Sequence, residues 1–161
     1  MKIFTIILFI LCFSFPCFAQ QKVKTGKPII RGFTIDVPVQ EAQKICIDKH
    51  KARWENGLHD SELLGTMYRC SGKPDNGDYF FQANIFVKYN IVVYIRFIIN
   101  QPQLCEDVNK KLENVPLCAE DDYYWHYCTP MWKVSTYNVK EQDVNVCILD
   151  ILSTVLYENY I

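Results

Sequence analysis

The chain has 161 residues with 17 basic and 18 acidic side chains, half of them hydrophobic and 14% aromatic, and a formal charge of −1. Near-neutral charge without a basic run argues against a nucleic-acid partner, and the absence of low-complexity sequence argues against a disordered chain. Removing the first 19 of the 161 residues leaves 142, enough for one domain with a real core.

That removal is expected because residues 1–19 carry Lys2, an apolar stretch from Ile3 to Phe15, and a small-residue junction ending at Ala19. This is the pattern of a secretory signal peptide. The stretch is shorter than the roughly 18 to 20 residues of a spanning helix and is interrupted by Pro16, so no membrane span is expected after cleavage. The residues before Cys12 and Cys17 do not form a lipid-attachment box. No Asn is followed two residues later by Ser or Thr, so no N-glycosylation acceptor exists. A periplasmic or secreted chain is expected, with a flexible N-terminal arm over residues 20–28 and a single α+β domain over 29–161.

In chain order, Ile29 to Ile35 reads as a first strand, and Asp36-Val37-Pro38 as a helix start with Asp36 near the cap. Val39, Ala42, Cys46 and Lys49 recur at spacings of three and four, which puts Cys46 on an inward face. His50 to Asp60 reads as a polar connection turned by Asn56-Gly57, with His50 and His59 in solvent. Glu62 to Cys70 reads as a second strand, and Ser71 to Asp78 as the strongest loop. Phe81 to Val87 and Ile91 to Ile99 then form a hairpin, turned by Lys88-Tyr89-Asn90. Its return strand is apolar on both faces, as expected of a central strand covered on two sides.

Leu104, Val108 and Leu112 mark a second helix, which Pro116 stops. Tyr123 to Cys128, Met131 to Asn138 and Asp143 to Asp150 read as three further strands, and the tail from Ser153 could be strand or helix. The sum is an α+β fold in which two helices pack on a mostly antiparallel sheet, stabilised by disulfides. Its order allows two halves of similar plan.

Outside the cytosol the even set Cys46, Cys70, Cys105, Cys118, Cys128 and Cys147 is expected to form bridges. Six cysteines allow fifteen pairings. A helix between Cys105 and Cys118 holds them about 15 Å apart, beyond the roughly 7 Å a bridge tolerates. Cys46 with Cys70 is the natural helix-to-sheet staple, and Cys118 with Cys128 and Cys105 with Cys147 complete the favoured set. No Cys-x2-Cys pair suggests zinc or a redox enzyme, and no nucleophile elbow, phosphate loop or calcium loop is present. No metal, cofactor or catalytic residue is therefore expected.

The segment from Cys118 to Cys128 stands out, because three acids precede five ring-bearing side chains between two cysteines. Bridged at its base, it would be a preorganised recognition loop, with Glu120, Asp121, Asp122, Tyr124 and His126 as partner-binding residues. Alternatively, Tyr123, Trp125 and Tyr127 line one face of a strand and pack on the core.

The run from Gly32 to Ala42, a strand turning directly into a helix and followed by a long antiparallel hairpin, resembles small exported bacterial α+β domains. The similarity is to the β-lactamase inhibitor protein type and the BamE-type assembly lipoproteins, over Ile29 to Ile99. The chain differs from the lipoproteins in lacking a lipid box and from both in cysteine number. The resemblance implies binding through a sheet face or loops, without catalysis. The expected function is contact with a protein partner, as an inhibitor or immunity-type factor; the alternative is a structural or assembly factor of the cell envelope.

Overall fold

A computed structural model describes residues 26–60, 65–72, 81–119, 124–141 and 144–155. Seven strands form one sheet: β1 (Arg53–Asp60), β2 (Gly65–Gly72), β3 (Phe81–Lys88), β4 (Ile91–Ile99), β5 (Tyr127–Cys128), β6 (Trp132–Glu141) and β7 (Val144–Ser153). Their order is β1-β2-β3-β4-β7-β6-β5, and every neighbouring pair is antiparallel. The helices are α1 (Val39–Lys44), continued by a π-helical turn over Ile45–Lys49, and α2 (Gln103–Leu112).

The expected fold class needs correcting. An α+β fold with two helices packed on a mostly antiparallel sheet was expected; the two helices are there, but α1 has 6 α-helical residues before its π-helical turn and α2 has 10, and the seven-stranded antiparallel sheet dominates the fold. Part of the difference is β1, where a polar connection was expected. Among the described strands it lies at the edge, paired with β2, so Arg53 and Glu55 can face solvent and its pattern looks hydrophilic. Asn56-Gly57 is the site of a β-bulge in this strand and makes no turn. A Cβ at Gly57 would fall on the backbone carbonyl of Met67, so only glycine fits there.

The expected first strand is also replaced. Ile30 and Phe33 exchange two backbone hydrogen bonds of 2.9 Å around Arg31 and Gly32, which have φ of 53° and 95°. The apolar side chains of this tight turn plug the core: Ile30, Phe33 and Ile35 are all buried. Asp36 does not cap α1, whose N-cap is Pro38 with no side-chain bond; it pairs with Lys27 at 3.4 Å instead.

The hairpin of β3 and β4 lies where the alternation placed it. Phe81, Ala83, Ile85, Ile95, Phe97 and Ile99 join Val134, Leu149 and Ile151 on one sheet face, and Val39, Ala42, Cys46, Cys105 and Val108 cover that face from the helices. Each large apolar side chain buried there contributes about 1.5–3 kcal/mol. β4 is central, as expected, but among the described residues helices cover only one of its sides; Tyr94, Arg96 and Ile98 on its other face are half-buried.

His50 is likewise not in solvent. Its ring stacks on Phe33 with centroids 5.5 Å apart, lies 5.0 Å from Phe81, and bonds the Arg31 carbonyl through Nε2 at 2.8 Å. Burial holds its pKa below the ordinary 6.5.

The bridges link Cys46 to Cys70, Cys105 to Cys147 and Cys118 to Cys128, with Cα separations of 5.9, 5.6 and 5.0 Å. Their pairing is the favoured one. The first two staple the helical layer to the sheet, the third closes a loop at the sheet's β5 end. Each half of the chain runs from a helix into an antiparallel meander, and the halves meet where β4 pairs with β7.

Candidate functional site

The face of the sheet away from the helices carries the polar chemistry. Register places Glu55, Arg69, Asn84, Arg96, Asp150 and Ser135 in one row across β1, β2, β3, β4, β7 and β6. Side chains in such a row stand about 5 Å apart and interact directly. At the exposed end, Glu55 pairs with Arg53 at 3.3 Å and Arg69 at 3.9 Å. At the other end, Asp150 is fully buried.

A buried carboxylate needs partners, and Asp150 has four donor contacts. Tyr94 donates to Oδ1 at 2.7 Å, Arg96 donates from Nε to Oδ1 at 2.8 Å and from its terminal nitrogen to Oδ2 at 3.1 Å, and Tyr124 donates to Oδ2. The Arg96 guanidinium also meets the Tyr124 hydroxyl. β4 supplies Tyr94 and Arg96, two residues apart and so on one face, and β7 sets Asp150 directly opposite Arg96. Tyr124 comes from the segment between α2 and β5, so this cluster ties that segment to the sheet.

Burial pushes the Tyr94 hydroxyl far above the ordinary tyrosine range, and the negative charge of Asp150 pushes it further. Tyr124 is shifted upward by burial first and then by its hydrogen bond to Asp150. The hydrogen bond to Asp150 raises Arg96 as well. Both tyrosines therefore remain protonated at neutral pH and act as hydrogen-bond donors. What the cluster can do is hold: it is a clamp of three side chains on one carboxylate.

The base of the Tyr124 segment is fixed independently. Cys118 and Cys128 are bridged, the Cys118 N–H donates to the His126 carbonyl at 3.2 Å, and the Cys128 N–H donates to the Pro116 carbonyl at 3.1 Å. His126 also lies along the edge of β6. Its N–H donates to the Val134 carbonyl at 3.1 Å, and its ring Nδ1 accepts from the Thr136 N–H at 3.2 Å.

Of the expected partner-binding residues, Tyr124 sits in the clamp, with 44% of its surface exposed, and His126 is exposed beside β6. Glu120, Asp121 and Asp122 lie outside the described residues. Of the strand expected over Tyr123 to Cys128, Tyr123 lies outside the described residues and, of the rest, Tyr127–Cys128 is strand; Tyr124 lies in a turn with its ring edge-on to Trp125 at 5.0 Å. Tyr127 alone of the described rings in that segment packs against the core cluster.

Arg96, Asp150 and Tyr94 were missed. Their signal was legible: Ile95-Arg96-Phe97 and Leu149-Asp150-Ile151 each set one charge, of opposite sign, inside an apolar strand. Two such charges are stable only when paired.

Comparison with protein families, with curated proteins and with solved structures gives no match. Function must be argued from this geometry. Among the described residues, no group of three or more His, Cys, Asp or Glu side chains is placed to hold a metal ion, and no helix is long and apolar enough to cross a membrane. The three intramolecular disulfides are consistent with an oxidising, extracytoplasmic location.

Proposed function

We propose that this chain is an exported binding protein that acts by contact with another protein, through the loop closed by Cys118 and Cys128, as an inhibitor or immunity-type factor. One observation carries the reading: the described part of the segment is held twice, by the bridge at its base and by Tyr124 in the clamp of Arg96 and Asp150. A segment fixed in advance loses little entropy on binding, so its contacts are converted into affinity with less loss. Glu120, Asp121 and Asp122 then supply charge that selects and steers a basic partner. Tyr124 offers its ring while its hydroxyl stays on Asp150, and His126 offers the ring edge left over from its bond to Thr136.

The test is affinity capture from the native exported fraction with the unaltered chain and with Glu120→Ala/Asp121→Ala/Asp122→Ala. The expected result is a soluble basic protein held by the first and released by the second. A partner retained equally by both chains would remove the loop from the contact surface. Co-purification with membrane complexes in place of a soluble partner would support an envelope assembly role.

A further inference from the structure

We propose that the Cys118–Cys128 bridge is a reducible latch on this loop, opened by a dithiol while the other two bridges remain closed. Cys46, Cys70 and Cys147 have no exposed surface and Cys105 has 2%. Cys118 and Cys128, by contrast, are both half-exposed, and Cys128 lies on the two-residue β5 at the edge of the sheet. Exchange requires a thiolate to reach a bridge sulfur, so access decides which bridge reacts. Four of the bridged cysteines are buried, and two are partly exposed.

The step balances without any other reagent. One thiolate of the dithiol attacks a sulfur of the bridge, the S–S bond breaks, and the other cysteine leaves with the electron pair and takes up a proton. The second thiol of the reductant then displaces the mixed disulfide. The reductant departs as a disulfide, oxidised by two electrons, and the chain keeps two thiols at Cys118 and Cys128.

Neither cysteine belongs to the core cluster, so the sheet and helices keep their packing. What remains at the loop base is the isolated pairing of Leu117 with Tyr127, made by two backbone hydrogen bonds of 3.1 and 3.2 Å, while β5 and His126 stay on β6 and Tyr124 stays in the clamp. Reduction therefore removes one of the two ties on the segment that presents Tyr124, leaving the clamp as the other, without unfolding the domain. The consequence for a partner rests on the binding reading above; the selective reduction does not, and is read without any partner.

The experiment treats the folded, oxidised chain with graded dithiothreitol, blocks thiols with iodoacetamide, and maps the labelled peptides by mass, with far-UV circular dichroism followed in parallel. Cys118 and Cys128 are expected to label together at a reductant concentration about tenfold below that needed for the other four, with the dichroism unchanged. Amide exchange over residues 124–128 is expected to rise on reduction, and Cys118→Ser/Cys128→Ser is expected to show the raised exchange without reductant. Reduction of all three bridges in one step, earlier labelling of a buried pair, or unchanged exchange over 124–128 overturns the proposal. Failure to capture a basic partner would overturn the binding reading and leave these readouts intact.

Discussion

Asp150→Asn keeps the shape of the buried side chain and removes its charge. In the folded chain the carboxylate accepts from Tyr94 at 2.7 Å, from Arg96 at 2.8 and 3.1 Å, and from Tyr124. An amide presents one acceptor oxygen, and its NH2 group would face donors of Arg96 or Tyr124. Breaking one side of a buried pair costs about 3–5 kcal/mol. The Arg96 side chain retains 37% exposure, so water recovers part of its solvation and the cost falls to about 2–3 kcal/mol. With a urea slope of about 2 kcal/mol/M, the unfolding midpoint drops by about 1–1.5 M.

Tyr124→Phe alone removes the hydroxyl that bonds both Asp150 and Arg96 and, at a partly exposed site, costs about 1 kcal/mol. Because both changes act on the same contact, the double variant is expected to lose about 1 kcal/mol less than the sum of the two. A midpoint that moves by less than about 0.3 M for Asp150→Asn, or strict additivity in the double variant, would refute the clamp.

Protonation of His50 is disfavoured in the folded chain, so the unfolded chain takes up that proton first as pH falls below 6.5. The stability due to neutral His50 is complete above 6.5 and declines below it, with a slope of at most about 1.4 kcal/mol per pH unit. Urea titrations between pH 7 and 5 are expected to show this extra slope in the unaltered chain and not in His50→Phe; parallel curves would exclude it. Removing the bridge across a sequence separation of 42 with Cys105→Ala/Cys147→Ala is expected to cost about 4 kcal/mol, against about 2.5–3 for Cys118→Ala/Cys128→Ala across 10, a ranking that thermal melts can check. Gly57→Ala drives a methyl group into the Met67 carbonyl and is expected to cost about 2–3 kcal/mol, lowering Tm by roughly 4–12 °C.

Alternation made the β3–β4 hairpin legible, because Phe81 to Val87 and Ile91 to Ile99 are long apolar runs around a short turn. Cys46 was readable as inward-facing from its spacing with Val39 and Ala42, and that also suggested Cys70 as its partner. The edge strand β1 was not readable: one of its faces is open and a bulge interrupts its alternation at Asn56-Gly57. Ile29 to Ile35 misled in the other direction, since apolar residues around Arg31-Gly32 are buried by a tight turn as well as by a strand. At the candidate site the bridged loop and Tyr124 were legible. The clamp needed the pairing of β4 with β7, which brings together residues 54 apart in sequence; no local pattern encodes that distance.

The pairing of β4 with β7 has a consequence for misassembly. Cys46–Cys70 lies within the first meander and the other two bridges within the second, so no covalent tie crosses the junction. Along it, among the described residues, run backbone hydrogen bonds, side-chain packing, and the contacts of Asp150 with Tyr94 and Arg96 and of Arg96 with Tyr124. Opening there would bare the edge of an apolar strand, Ile91–Ile99, while each half keeps its own staple. An edge of that kind invites the matching β7 of another copy, with residues 100–102 as the hinge. Oxidation staples each half but not the seam between them, where the Asp150 clamp is a tie that no disulfide backs up.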